Sequence, residues 1–391
     1  MRQRNNAAIM NRVCLTRGCL FPAVILVLLV LVMPAWGSSP GMEKHVIFLG
    51  DTAFGESYHD IKGINDIKGD RRYQVSFRYL GQFLRKGDIV VANLETPLTL
   101  SLHEPRQNKA YLHWGHPARA GSSLKDHGIT AVSLANNHSL DYGVPGLEDT
   151  FRALEAHGIA WFGAGMDLEE ASRPYYVPLQ VGERKQGLYI FSGFQYFGKY
   201  DREYHFYASS SSGGVNPLDM EVLEEDIKKI REDDPLALVV CFPHWGANYV
   251  WRDSRQKTMA YDLVDAGVDL VIGHGAHMMQ EIERYGGSWI VYGLGNFIFN
   301  SPGRYAKAGV EPFSIMADLV LGQDGNAISG ELRLYPIMTD NYITRYQGRP
   351  LDRREFEIFK TLLADRGLEI GSEKCRERKD ERGYYLSLQL D

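Results

Sequence analysis

Cysteine is scarce: the 391-residue sequence holds four. Cys14 and Cys19 precede a long apolar run, on the wrong side of it for lipid attachment, and Cys241 and Cys375 stand far apart with no zinc-binding spacing. A disulfide-built scaffold and a thiolate metal site are thereby excluded. A Cys241–Cys375 bridge stays open outside the cytoplasm, while a buried free thiol suits the apolar neighbours of Cys241 better. Positive charge is also in deficit, at a formal net charge of −6. Setting aside Arg2, Arg4, Arg12 and Arg17 of the N-terminal segment leaves a body of about −10. Such a body argues against a nucleic-acid partner, because that binding draws most of its affinity from neutralised phosphates. It would equally repel a polyanionic polymer unless a bound cation or a local basic patch compensates, and no basic patch stands out. Gly163-Ala-Gly165 lacks the third glycine of a dinucleotide fingerprint, and no G-x-S-x-G elbow occurs. An apolar fraction of 44% is ample for a core and excludes disorder as the main state.

Residues 18 to 42 carry no charge, and Phe21 to Met33 are apolar apart from Pro22, with arginines on the N-terminal flank only. This pattern predicts an export leader over residues 1–37, with Ala35-Trp36-Gly37 offering a small-x-small cleavage site before Ser38. The length also permits an uncleaved membrane anchor over residues 19–36, since a spanning helix needs roughly 20 apolar residues. Either way the body is expected to be extracytoplasmic, in the periplasm or cell envelope.

Beyond the leader, short apolar runs end abruptly in polar residues. Val46–Leu49 leads into Gly50-Asp51, Ile89–Ala92 into Asn93-Leu94-Glu95, and Ile129–Leu134 into Ala135-Asn136-Asn137-His138. Leu236–Phe242 leads into His244-Trp245-Gly246, and Val268–Ile272 into Gly273-His274-Gly275-Ala276-His277. Continuous β-branched runs suit strands buried on both faces. Helical spacing is visible in Leu147, Phe151 and Leu154, in Met220, Leu223, Ile227 and Ile230, and in Met259, Leu263 and Val264. Alternating strands and helices predict an α/β fold, in which ligands gather beyond the carboxyl ends of the strands. Tyr207 to Pro217, which contains Ser209 to Gly214, reads as a flexible loop. The tail holds a strand-like Leu332–Tyr335, a helix near Glu355 to Ala364 and a final strand-like Tyr384–Leu390.

Asp51, Glu95, Asn137, His244, His274 and His277 are oxygen and imidazole donors that follow separate apolar runs. Any one of them has an ordinary meaning as a turn or surface residue. Together they suit one or two divalent ions of intermediate hardness, such as manganese, iron or zinc, better than an all-oxygen calcium site. Glu95 has the reach to bridge two such ions. Trp245, Tyr249 and Trp251 form either a stacking wall beside the site or packing for its loop.

Gly50-Asp51, Asn93-Leu94-Glu95, Ala135-Asn-Asn-His-Ser-Leu-Asp-Tyr-Gly143, His244-Trp-Gly246, Gly273-His-Gly-Ala-His277 with Gln280, and Gly295-Asn-Phe-Ile-Phe299 occur in an order that resembles the CapA-type poly-γ-glutamate capsule biosynthesis family. That family is similar to the calcineurin-like metallophosphoesterases. The resemblance implies a metallophosphoesterase-like four-layer α/β sandwich over 44–330, followed by a small C-terminal extension, 331–391, packed on it. It implies Asp51, Glu95, Asn137, His244 and His277 as metal ligands and His274 as a ligand or close neighbour. His138 would be the acid facing a phosphate, oriented by Asp141. The chain departs from the wider pattern at Thr52-Ala53, where an imidazole is usual, at Ala247-Asn248, where an acid is common, and at Gly275, where a histidine is frequent. His113 and His116 read as loop residues near the substrate. The implied function is a metal-dependent hydrolase or phosphoesterase-like protein of capsule or poly-γ-glutamate assembly. The alternative is a noncatalytic component that binds capsule polymer or a membrane synthase complex and uses the metal structurally.

Overall fold

The computed structural model describes residues 43–55, 71–103, 105–181, 184–301, 303–324 and 327–390. The leader expected over 1–37 lies outside the described residues. No helix among those described is long and apolar enough to cross a membrane.

The apolar runs are strands, and period-two geometry explains why they are apolar throughout. In Glu43–Ala53, Val46 and Phe48 face one way and Ile47 and Leu49 the other, and both faces are covered. This strand is central in the larger sheet among the described residues. That sheet runs in the order Cys375–Asp380, Gly383–Gln389, Ala327–Met338, Phe313–Asp324, Glu43–Ala53, Ile89–Leu94, Ala131–Ser133, Ala160–Phe162. Asn296–Phe299 also pairs with Glu43–Ala53, in parallel. The second sheet runs Ile282–Tyr285, Ser288–Val291, Leu270–Ile272, Leu238–Cys241, Arg184–Phe191, Tyr175–Val181.

One core joins the sheets face to face: Val46, Phe48 and Val91 meet Leu188, Ile190, Val240 and Ile272. A second core lies outside the larger sheet, where Ile47, Val90 and Val132 pack against Ala120 and Leu124 of helix Pro117–Asp126 and Leu147, Phe151 and Leu154 of helix Gly143–Ala156. A third covers the smaller sheet with Leu223 and Ile227 of helix Met220–Asp233 and Ala260 and Leu263 of helix Ser254–Asp265. The layers are therefore helix, sheet, sheet, helix. The covering helices start where acids satisfy their free amide groups: Asp219 caps one, and Asp253 forms a capping box with Gln256 in the other.

The boundary expected at 330 falls within the strand Ala327–Met338, so the C-terminal segment continues the larger sheet. Its helix Arg353–Ala364 places Phe356, Phe359 and Leu363 in the core between the sheets. The serine-rich segment, expected as a flexible loop, is tied down: Ser209 and Ser212 bridge, and Gly214–Val215 pairs with Ala164–Gly165. Cys241 and Cys375 are buried free thiols.

Candidate metal centre

In parallel strands all carboxyl ends point one way, and here the ends from both sheets meet. Glu43–Ala53 carries Asp51, Ile89–Leu94 leads to Glu95, and Ala131–Ser133 leads to Asn137 and His138. Across the gap, Leu238–Cys241 leads to His244 and Leu270–Ile272 to His274 and His277. Asp51, Glu95, His138, Asp141, His244, His274 and His277 are all buried.

Two donor groups form, each with ligand atoms within 4.8 Å of one another: Asp51, His244 and His274, and Asp51, Glu95 and His277. Asp51 belongs to both. Glu95, expected to have the reach to bridge two ions, belongs to the second group, so Asp51 is the carboxylate that could serve both. Asp51 Oδ1 accepts from Asn93 Nδ2 at 2.9 Å and from the Gly275 amide at 3.1 Å. Burial pushes the Asp51 carboxyl up, but the surrounding histidines, with His277 Nδ1 3.2 Å from Asp51 Oδ2, outweigh it and hold the group well below the usual carboxylate range.

The tautomers follow from the outer hydrogen bonds. His274 Nε2 lies 3.3 Å from the Phe242 carbonyl, an acceptor, so Nε2 carries the proton and Nδ1 is a bare lone pair. That Nδ1 stands 3.1 Å from His244 Nδ1 and 3.6 Å from an Asp51 oxygen. Burial, then the neighbouring His274, lower the pKa of His244 far below its ordinary value. Neutral imidazoles turned toward a carboxylate are the donor arrangement a divalent cation requires. His277 Nδ1 is held by Asn296 Oδ1 at 2.9 Å and by Asp51 Oδ2 at 3.2 Å, which turns Nε2 toward Glu95 Oε1 at 3.8 Å. Burial opposes charge on His277, yet Glu95 and Asp51 raise its pKa to about 9.

Glu95 tests whether a cation fits. Both of its carboxylate oxygens are buried without a hydrogen-bond partner, as is Asn137 Oδ1. Burial pushes the Glu95 carboxyl well above its ordinary value. Buried acceptors of this kind are costly unless something positive meets them, and the residues present fit a divalent ion.

Backbone conformation brings these groups close. Gly275 has φ +105°, and a Cβ there would lie 2.9 Å from His244 Nε2, so a side chain at this position would be strained and would crowd His244. His277 itself adopts φ +60°, which few non-glycine residues do.

His138 and Asp141 lie beside the donor groups. Asp141 Oδ2 is 2.7 Å from His138 Nδ1 and accepts from the His113 amide at 2.6 Å. His138 Nε2 points toward Glu95 Oε1, 3.9 Å away. Sequence reasoning passed over Lys109, which is buried with Nζ 2.7 Å from Asp141 Oδ1 and 3.2 Å from His138 Nδ1. It also passed over Asn93, Asn296 and Tyr200, whose hydroxyl bonds the Asn137 side chain. Asn93 and Asn296 stood within quoted motifs, whereas Lys109 and Tyr200 carried no signal. The His113 ring stacks on that of His138 at 3.8 Å, and His116 serves as N-cap of Pro117–Asp126. The aromatic wall dissolves into packing: Trp245 is buried and donates to the Tyr292 carbonyl, and Trp251 stacks under Arg366. Tyr249 alone stays beside the site, 5.6 Å from His277 ring to ring.

A helix–sheet–sheet–helix sandwich with oxygen and imidazole donors gathered at the carboxyl ends of both sheets defines a metallophosphoesterase-like α/β protein. The chain belongs to the bacterial capsule synthesis protein family PGA_cap, whose family model matches residues 45–301. It is 31% identical to the PGA biosynthesis protein CapA of Bacillus subtilis over 65% of this chain and 62% of that one. It is 31% identical to the capsule biosynthesis protein CapA of Bacillus anthracis over 57% of this chain and 53% of that one. A probable polyglutamine synthesis accessory protein of Mycobacterium tuberculosis is 32% identical over 54% of this chain and 55% of its own. The matches thus span about half to three fifths of those relatives' length.

Proposed function

We propose that the chain is an exported, metal-dependent hydrolase or phosphoesterase-like protein acting in capsule or poly-γ-glutamate assembly, alongside a membrane synthase complex. The assembly role comes from the relatives' names, and export from the apolar N-terminal run. Recovery of the body with the cytoplasmic fraction, rather than with the periplasmic or envelope fraction, would count against export.

The observation that carries the hydrolytic reading is Asp51, shared by two donor groups, one of which holds Glu95 with both carboxylate oxygens buried and without a hydrogen-bond partner. Asp51, His244 and His274 would hold one divalent ion. Asp51, Glu95 and His277, with Asn137 adjacent, would hold another. Bound divalent ions supply Lewis-acid polarisation of a phosphoryl or acyl oxygen and lower the pKa of water toward neutrality. The chain's own residues do the rest. Asp141 fixes the His138 ring through Nδ1, so Nε2 is the atom that exchanges a proton with substrate. Burial, followed by the Lys109 charge, lowers the His138 pKa, so with Nδ1–H directed at Asp141 the resting ring is neutral and Nε2 is the open position that takes up a proton and passes it on. Asn93 and the Gly275 amide keep the Asp51 carboxylate oriented.

Metal analysis and hydrolysis assays on phosphodiesters and polyglutamate test this reading. His138→Ala should keep its metal and lose activity about 10²- to 10⁴-fold, whereas Glu95→Gln should lose metal as well. Equal activity in the wild type and both variants would overturn the catalytic reading.

A further inference from the structure

Arg304 is exposed at the rim of the metal centre. Tyr305, the next residue, is buried, and its hydroxyl donates to the His277 carbonyl while accepting from Asn296 Nδ2. The Tyr249 ring stands 5.2 Å from Tyr305 and 5.6 Å from His277. Burial and Tyr305 push the Tyr249 hydroxyl up, and the Arg304 charge opposes them, so the guanidinium stands near the ring that borders His277.

The Arg304 guanidinium lies 4.5 Å from the centroid of the Tyr111 ring. Stacking covers one face of the planar group and leaves its N–H edges open, the arrangement that grips a carboxylate or phosphate with two parallel bonds. In this acidic chain Arg152, Arg231, Arg349 and Arg382 each pair with a carboxylate. Among the described residues Arg304 has no such partner. The shelf beneath it is built at a cost: Asn108 and Tyr111 hold φ of 59° and 60°, unfavourable for a bulky tyrosine. With those bends the loop buries Lys109 against Asp141 and stands Tyr111 out at 62% exposure under Arg304.

We propose that Arg304, shelved on Tyr111, binds an anionic group of the substrate, a carboxylate or a phosphate, next to the bond presented to Asp51 and His138. This rests on the hydrolytic reading for its place in turnover, whereas binding alone does not need that reading. It makes Arg304 a specificity residue that lets an acidic body accept an anionic ligand.

Calorimetric titration of the full chain with a γ-linked glutamate trimer, its methyl ester, and p-nitrophenyl phosphate tests the proposal. Arg304→Ala should weaken binding of the trimer or of the phosphate by about tenfold, and which of them weakens tells carboxylate from phosphate. The methyl ester should bind wild type and variant alike, and Arg304→Lys should recover part of the loss. In turnover, Arg304→Ala should raise KM and leave kcat unchanged. Wild type and Arg304→Ala binding both anions equally, or wild type binding neither, would overturn the assignment. Anion binding that depends on Arg304 in a wild type without turnover would sustain it while sinking the hydrolytic reading.

Discussion

Asn136 and Asn137 are chemically identical neighbours with different roles. The Asn136 amide donates to Asn93 Oδ1 and the Leu94 carbonyl, and Asn93 in turn donates to Asp51, so Asn136 is the far end of a clamp on the shared carboxylate. Asn137 turns the other way and leaves Oδ1 buried without a partner. His277 is the residue to titrate, because it faces both buried acids, with Nδ1 3.2 Å from Asp51 Oδ2 and Nε2 3.8 Å from Glu95 Oε1. In the metal-free protein the folded-state pKa of His277 is raised to about 9 from 6.5. Its stabilisation is therefore fully present below pH 6.5 and lost as pH rises toward 9, an effect of roughly 3 kcal/mol. Glu95, with its carboxyl raised by burial, slopes the same way. Urea unfolding of chelator-treated protein should show stability falling across that window, and His277→Asn should flatten the profile. A level wild-type profile would refute the ion pair. The donors themselves were legible in the sequence, because each follows an apolar run. Lys109 was not, since a single lysine in a loop has no pattern and its burial against Asp141 is settled only by folding.

At the scale of elements, runs and periodicities translated well. Val46–Leu49 sits inside Glu43–Ala53, and the stripe from Met220 to Ile230 became Met220–Asp233. What could not be read was pairing between distant segments. The antiparallel hairpin Phe313–Asp324 with Ala327–Met338 borders the central strand, yet nothing local in residues 313–338 names Glu43–Ala53 as the neighbour. The C-terminal helix shows the same limit. Its capping box, Asp352 with Glu355, and its apolar spacing were visible, but not that Phe356 and Phe359 would fill the space between the sheets. Phe359→Ala should consequently cost about 3–5 kcal/mol, measured by denaturant unfolding, with metal content unchanged. A loss below about 1 kcal/mol would mean that this helix only lies against the surface.

For the molecule as a whole, the centre is a junction between the two sheets. Asp51, Glu95 and Asn137 arrive from the larger sheet, and His244, His274 and His277 from the smaller. Apolar contact holds the sheets together beneath, while at the carboxyl ends a carboxylate and imidazole lone pairs face each other across the seam. A divalent ion there would fasten both layers at once. Ligand that binds only the folded state adds about 2.7 kcal/mol when present at 100 times its dissociation constant. Thermal unfolding should therefore shift upward with added manganese or zinc and downward with chelator, in step with the logarithm of free metal. Asp51→Asn, which weakens both donor groups, should abolish the shift, whereas His138→Ala, which removes no donor, should keep it. An equal metal-induced shift in wild type and Asp51→Asn would place the ion elsewhere and leave the meeting of the strand ends without its chemical reason.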